Sequence, residues 1–262
     1  MSEAKKIDLM IIGAQKAGTS SLKEYLSEHN SIITHYPLEL AFFNSKEQWE
    51  KGYDKVFRTE FPPIPNKDVK VIGKQAGLYE EEDYISRLYE HNPECHLVFI
   101  LRNPVERAYS SYLMEYNHGY ISYRFDELED ALNKYKAGVN DSRFRLYIKL
   151  GMYERSLNIV YKYFPKKQVH VYLFEDLKSD PLKICHELFR LLDLPEIKPE
   201  VDRAHNQHTV NKSKKATNLL FWLQKNDNPI KQLIKGILPY NAFLKLSSFV
   251  VSLNKKTVPQ GE

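Results

Sequence analysis

The chain has 262 residues, and 38 Lys and Arg set against 34 Asp and Glu leave a formal net charge of +4. With 42% hydrophobic and 27% charged residues it holds enough apolar side chain for a substantial core, which excludes disorder as its main state. The basic excess is small and scattered, so a nucleic-acid-coating protein is excluded and a local anionic ligand is indicated instead.

The opening MSEAKKIDLMIIGAQ has an apolar run too short and wrongly flanked for a signal peptide. Within it, Ile7 to Ile12 is β-branched-rich and closed by Gly13, which predicts a buried parallel strand. After the loop GAQKAG, Thr19 to Ser27 places Leu22, Tyr25 and Leu26 on one helical face. Phe61 to Asn66 reads as a proline-stiffened loop, and Lys70 to Gly73 as a short strand. His96 to Leu101 is a second strong strand, ending at Arg102-Asn103-Pro104 before a helix over Val105 to Tyr116. Val169 to Phe174 is a third, followed after Glu175-Asp176 by a helix through Leu191. Polar residues crowd Asp202 to Lys215, a long loop. The apolar-periodic tail from Asn218 to Leu253, broken by Pro229 and Pro239, is expected as capping helices in preference to a membrane-surface contact.

Strands alternating with helices predict an α/β fold, a P-loop-type parallel sheet with helices on both faces, as a single domain over 1–262. Cys95 and Cys185 lie far apart with no CxxC pairing, so reduced thiols are expected rather than a disulfide framework or a zinc site. No stretch reaches the roughly 18 apolar residues of a membrane span. A soluble, cytoplasmic protein without stable membrane insertion is the expectation; oligomeric state is not legible.

The central feature is Gly13-Ala14-Gln15-Lys16-Ala17-Gly18-Thr19-Ser20. A glycine-bounded loop between strand and helix turns backbone N–H groups inward at the positive end of a helix dipole, which makes an anion cradle. Thr19, Ser20 and Ser21 add hydroxyl donors, and Thr19 is a candidate N-cap. The glycine spacing matches a Walker A loop, but Thr19 replaces its lysine and a lysine sits earlier, at Lys16. A tight turn without a ligand is the plainer alternative, disfavoured by the lysine and three hydroxyls together.

IIGAQKAGTSSL closely resembles the 5′-phosphosulfate-binding loop of sulfotransferases that use 3′-phosphoadenosine 5′-phosphosulfate (PAPS). FILRNPVERAYSSYLMEY resembles the family's 3′-phosphate-binding segment, with its arginine and serine at Arg102 and Ser110. The likeness is nearest to heparan-sulfate-type and bacterial members. Pro37 to Phe43 resembles their K-E-x-x-F-F segment, with Leu38 in place of the lysine. Gly73 to Tyr79 resembles E-K-[ST]-x-x-Y, with Gly73 and Gln75 as departures, and Gly151-Met152-Tyr153 resembles their G-x-Y. The resemblance runs over about residues 7–195, leaving 196–262 for a closing loop and C-terminal helices.

That resemblance implies sulfuryl transfer from PAPS to a hydroxyl of a saccharide or small-molecule acceptor, releasing adenosine 3′,5′-bisphosphate and requiring no metal. Gly13, Gln15, Lys16, Ala17, Gly18, Thr19 and Ser20 would hold the donor's 5′ end. Arg102 and Ser110 would hold its 3′ phosphate, and Tyr153 and Lys212 would add to the nucleotide pocket. Lys16 and Lys74 are the candidate cations for the departing charge. Glu39, in the apolar stretch YPLELAFF, is the candidate base, with His35 as backup. Two other readings stay open: a P-loop nucleotide-dependent kinase, with Glu175-Asp176 imitating a metal-holding acid, and a nucleotide-binding protein without catalysis.

Overall fold

The fold is that of a computed structural model describing residues 4–64, 68–117, 128–139, 141, 143–201, 209–211 and 255–257. It forms two compact units, Met1–Ser111 with Leu128–His205, and Tyr112–Glu127 with Asn206–Glu262. In the second, Thr209–Asn211 pairs antiparallel with Lys255–Thr257. The first carries a parallel sheet of β1 (Leu9–Gly13), β2 (Ile32–Thr34), β3 (Lys70–Lys74), β4 (His96–Leu101) and β5 (Val169–Leu173), in the order β2-β3-β1-β4-β5.

Every residue of β1 is buried, and so are four consecutive residues of β4, because helices cover both faces of a parallel sheet. β5 is an edge strand, and its Val171 and Leu173 are exposed. The covering helices include α1 (Thr19–Ser27), α4 (Glu82–His91), α5 (Pro104–Asn117), α7 (Tyr153–Tyr163) and α9 (Pro181–Leu191). Cys95 and Cys185 are buried free thiols. No helix among the described residues is long and apolar enough to cross a membrane.

The chain leaves β1 for the β2–β3 side and then crosses to β4. That reversal opens a crevice at the carboxyl end of β1, where open α/β sheets bind ligands. Register aligns Ile11 with Lys74 on one side and with Val98 on the other, so the ends of β1, β3 and β4 share one edge.

Several boundaries differ from expectation. The helix foreseen after β5 is two, α8 (Phe174–Ser179) and α9, because Asp180 caps Lys183 N–H at 3.1 Å and Pro181 begins a new helix. The helix expected from Val105 starts one residue earlier, at Pro104, a first position that its fixed φ suits. Thr19 is not the N-cap of α1. Gly18 takes that place at φ 80°, and no side chain caps the helix. A Cβ at Gly18 would lie 2.9 Å from Leu177 as well as in the left-handed region. Gly18→Ala is therefore expected to cost roughly 1–3 kcal/mol by denaturant unfolding. An unchanged midpoint would contradict it.

Candidate functional site

The cradle is built from backbone. Ala14 N–H donates to Ile100 O at 2.8 Å and Gln75 N–H to Ile11 O at 3.0 Å, tying the loop's root to β4 and β3. Lys16 stands at φ 69° and Gly18 at φ 80°, two left-handed positions that fold the loop over the start of α1. A lysine there is unfavourable by itself. Arg102 offsets it by donating from Nη1 to the Lys16 carbonyl at 3.0 Å. Ser111 on α5 reaches Gln15 Oε1 at 3.3 Å. The first turn of α1 has no acidic residue and no capping side chain, so the positive end of its dipole suits an anion.

The two remote candidates join this cradle. Lys74 ends β3 with 1% exposure, and its Nζ donates to Ser20 Oγ at 3.0 Å, Leu38 O at 3.0 Å and Glu39 Oε1 at 2.6 Å. The second oxygen of Glu39 accepts Ala76 N–H at 2.8 Å, and about a third of its side chain remains exposed. One buried amine thus connects the hydroxyl of the helix start to a carboxylate that still faces solvent.

Arg102, just past β4, is held on three sides: by the Lys16 carbonyl, by Glu106 Oε2 at 3.3 Å, and by the Phe174 ring 4.6 Å away. Tyr153 OH donates to Arg102 O at 2.9 Å, so Tyr153 supports the arginine's backbone. Ser110 is buried on α5, next to the Ser111 that touches Gln15. Glu175 and Asp176 occupy the exposed first turn of α8. No group of three His, Cys, Asp or Glu side chains among the described residues is placed to hold a metal. Lys212 lies outside the described residues.

His35 does not suit the backup role. It is 2% exposed, and its Nε2 accepts Lys74 N–H at 3.0 Å, so the neutral ring carries its proton on Nδ1 and has no lone pair for an acceptor. Burial, then the nearby Lys23, lower its pKa to about 3. Burial likewise lowers His91 to about 4. For a histidine depressed on folding, the contribution is full above the unfolded value near 6.5 and lost as pH falls toward the folded one. Stability should therefore drop by roughly 3 kcal/mol from His35 alone between neutrality and about pH 4. Urea unfolding at several pH values should show this fall, and His35→Gln should flatten it. Equal slopes in both proteins would refute it.

Sequence reasoning missed Lys23, one turn into α1. Its Nζ donates to His35 O at 2.7 Å and Pro37 O at 3.0 Å. Burial and the neighbouring Lys74 pull its pKa down to about 8. No signal in the sequence marked it, because a lysine on an amphipathic helix ordinarily stands in solvent. Arg107 was missed too. It is fully buried and donates from Nη2 to Leu146 O at 2.7 Å and Tyr147 O at 2.9 Å, holding the segment that leads to Tyr153.

Comparison with known proteins gives the family and the fold. The model of the sulfotransferase domain matches residues 6–228. A bifunctional heparan sulfate N-deacetylase/N-sulfotransferase of Drosophila melanogaster is 28% identical over 222 residues, 78% of this chain and 21% of that protein. The human heparan sulfate glucosamine 3-O-sulfotransferase 5 is 29% identical over 190 residues, 71% of this chain and 53% of that one. The chain thus spans about a fifth and about half the length of these two relatives. Among solved structures, a sulfotransferase from Alicyclobacillus acidocaldarius superposes with a TM-score of 0.64 at 21% identity, covering 83% of this chain and 91% of that one. The strand–cradle–helix unit, the matched domain and the shared fold lead to one conclusion: this chain belongs to the sulfotransferase-domain family.

Proposed function

We propose that the protein transfers the sulfuryl group of PAPS to a hydroxyl of a saccharide or small-molecule acceptor. The observation that carries the reading is Lys74, whose buried amine bonds both Ser20 of the cradle and Glu39. The donor set suits a phosphosulfate: loop and helix N–H groups, hydroxyls, a guanidinium and an amine, with no acid in the helix's first turn.

Residues 13–20 would hold the 5′ end, and Arg102 with Ser110 the 3′ phosphate. As the S–O bond breaks, charge grows on the bridging oxygen of the leaving bisphosphate, and Lys16 and Lys74 stabilise it there more than in the ground state. The acceptor oxygen attacks in line from the opposite side and gives its proton to Glu39. The names of the relatives favour a saccharide acceptor. A kinase is the weaker reading, because the position following Gly18 holds a buried threonine rather than the Walker lysine.

Calorimetry with adenosine 3′,5′-bisphosphate against ATP plus magnesium tests the donor, and preference for ATP would overturn the reading. Labelled PAPS offered to desulfated heparan oligosaccharides, simple glycosides, phenols and alkyl alcohols tests the acceptor. Arg102→Ala should weaken bisphosphate affinity roughly tenfold to a hundredfold, the worth of one charge-assisted phosphate contact. Untouched affinity would displace the 3′ phosphate from this arginine.

A further inference from the structure

Residues 35–39 carry the Glu39 carboxylate across the carboxyl edge of the sheet without a strand's ladder. β2 ends at Thr34. Tyr36 N–H donates to Glu60 O at 2.7 Å, Pro37 has no N–H, and the next backbone anchor is Leu40 N–H on Lys74 O at 2.8 Å. Side-chain burial fixes the stretch at His35, 2% exposed, but not beyond it, since Tyr36 and Leu38 are 68% and 71% exposed.

The carbonyls of this stretch are gathered by two amines. Lys74 takes Leu38 O at 3.0 Å, and Lys23 takes His35 O at 2.7 Å and Pro37 O at 3.0 Å. Fixing a lysine in this way sacrifices its hydration and several rotatable bonds, so a mere surface residue would not be found so placed. Lys23 belongs to α1, whose first residues form the cradle. The helix that presents the anion site therefore also grips the loop that presents the carboxylate.

We propose that Lys23 is a positioning residue for Glu39. By pinning the His35 and Pro37 carbonyls to α1, it fixes the distance between the carboxylate and the cradle. This rests on the reading of Glu39 as the base. Lys23 itself touches no reacting atom and transfers no proton. Displacing a catalytic group by an ångström has a large effect on turnover and little on binding, which is the signature expected here.

The test uses the full chain with Lys23→Met and Lys23→Arg, labelled PAPS, and a desulfated heparan oligosaccharide or whichever acceptor the screen yields. The methionine variant is expected to lose about tenfold to a hundredfold in kcat, with acceptor KM and adenosine 3′,5′-bisphosphate affinity nearly unchanged. Its Tyr36 and Leu40 amides should exchange hydrogen faster, while those of β1 and β4 keep their protection. Arginine, which can still donate to both carbonyls, should recover part of the turnover. Unchanged exchange at Tyr36 and Leu40, or a kcat loss matched by lost bisphosphate affinity, overturns the proposal. If the wild-type protein transfers no sulfuryl group to any acceptor, the functional reading fails separately, and the exchange pattern still decides whether Lys23 holds the stretch.

Discussion

Lys74→Met is expected to lower sulfuryl transfer by two to three orders of magnitude, about what removal of one preorganised donor costs. The side chain keeps its length and apolar stem while the amine disappears. Ser20 Oγ, Leu38 O and Glu39 Oε1 each lose their shared donor at once. Glu39 keeps only its bond from Ala76 N–H and can swing toward solvent. Because the carboxylate is partly exposed, the stability loss should be roughly 2–3 kcal/mol, below that of a fully buried pair broken from one side. Glu39→Gln separates the contributions, since it retains a hydrogen-bond acceptor for Lys74 but has no proton-accepting charge. Single-turnover rates and urea unfolding of both variants measure the effect. Wild-type turnover in Lys74→Met would remove the amine from the mechanism.

Lys16→Ala should lose a comparable factor, about a hundredfold to a thousandfold in kcat, with almost no change in stability. Lys16 and alanine are equally unsuited to φ 69°, so the strain of the loop stays the same. The Arg102 contact is made to the backbone carbonyl, which alanine retains. What changes is the cation that the proposed mechanism sets against the charge of the leaving bisphosphate. Turnover with saturating donor, with bisphosphate affinity measured in parallel, checks this. A kcat within threefold of wild type would show that the loop only binds and that Lys74 acts alone.

The elements that set the site were legible because their signals are local. Continuous apolar runs marked β1 and β4, and the helix over Thr19–Ser27 was bounded as observed. The pairing of Lys74 with Glu39 was not legible. The two are 35 positions apart and meet only through the parallel register of β2 beside β3 and the bend of residues 36–39 that follows β2. β2 escaped notice because three residues carry no period, and α2 (Lys46–Lys51) because it buries none. The role given to His35 failed for a related reason: no pattern in the chain announces that a backbone N–H at the end of the next strand will occupy its ring nitrogen. Lys23 shows the same limit from the other side, since a lysine on an amphipathic helix reads as solvated unless a folded loop supplies carbonyls for it.

The contact between Arg102 and Glu106 has a consequence for which anions the pocket accepts. A guanidinium already engaged by a neighbouring acid is released only to a guest that outbids that acid. A phosphate dianion gains more from that exchange than a singly charged solute does. Since Glu106 is 58% exposed, its hold is worth about 1 kcal/mol or less, and the preference it adds for a doubly charged guest is correspondingly modest.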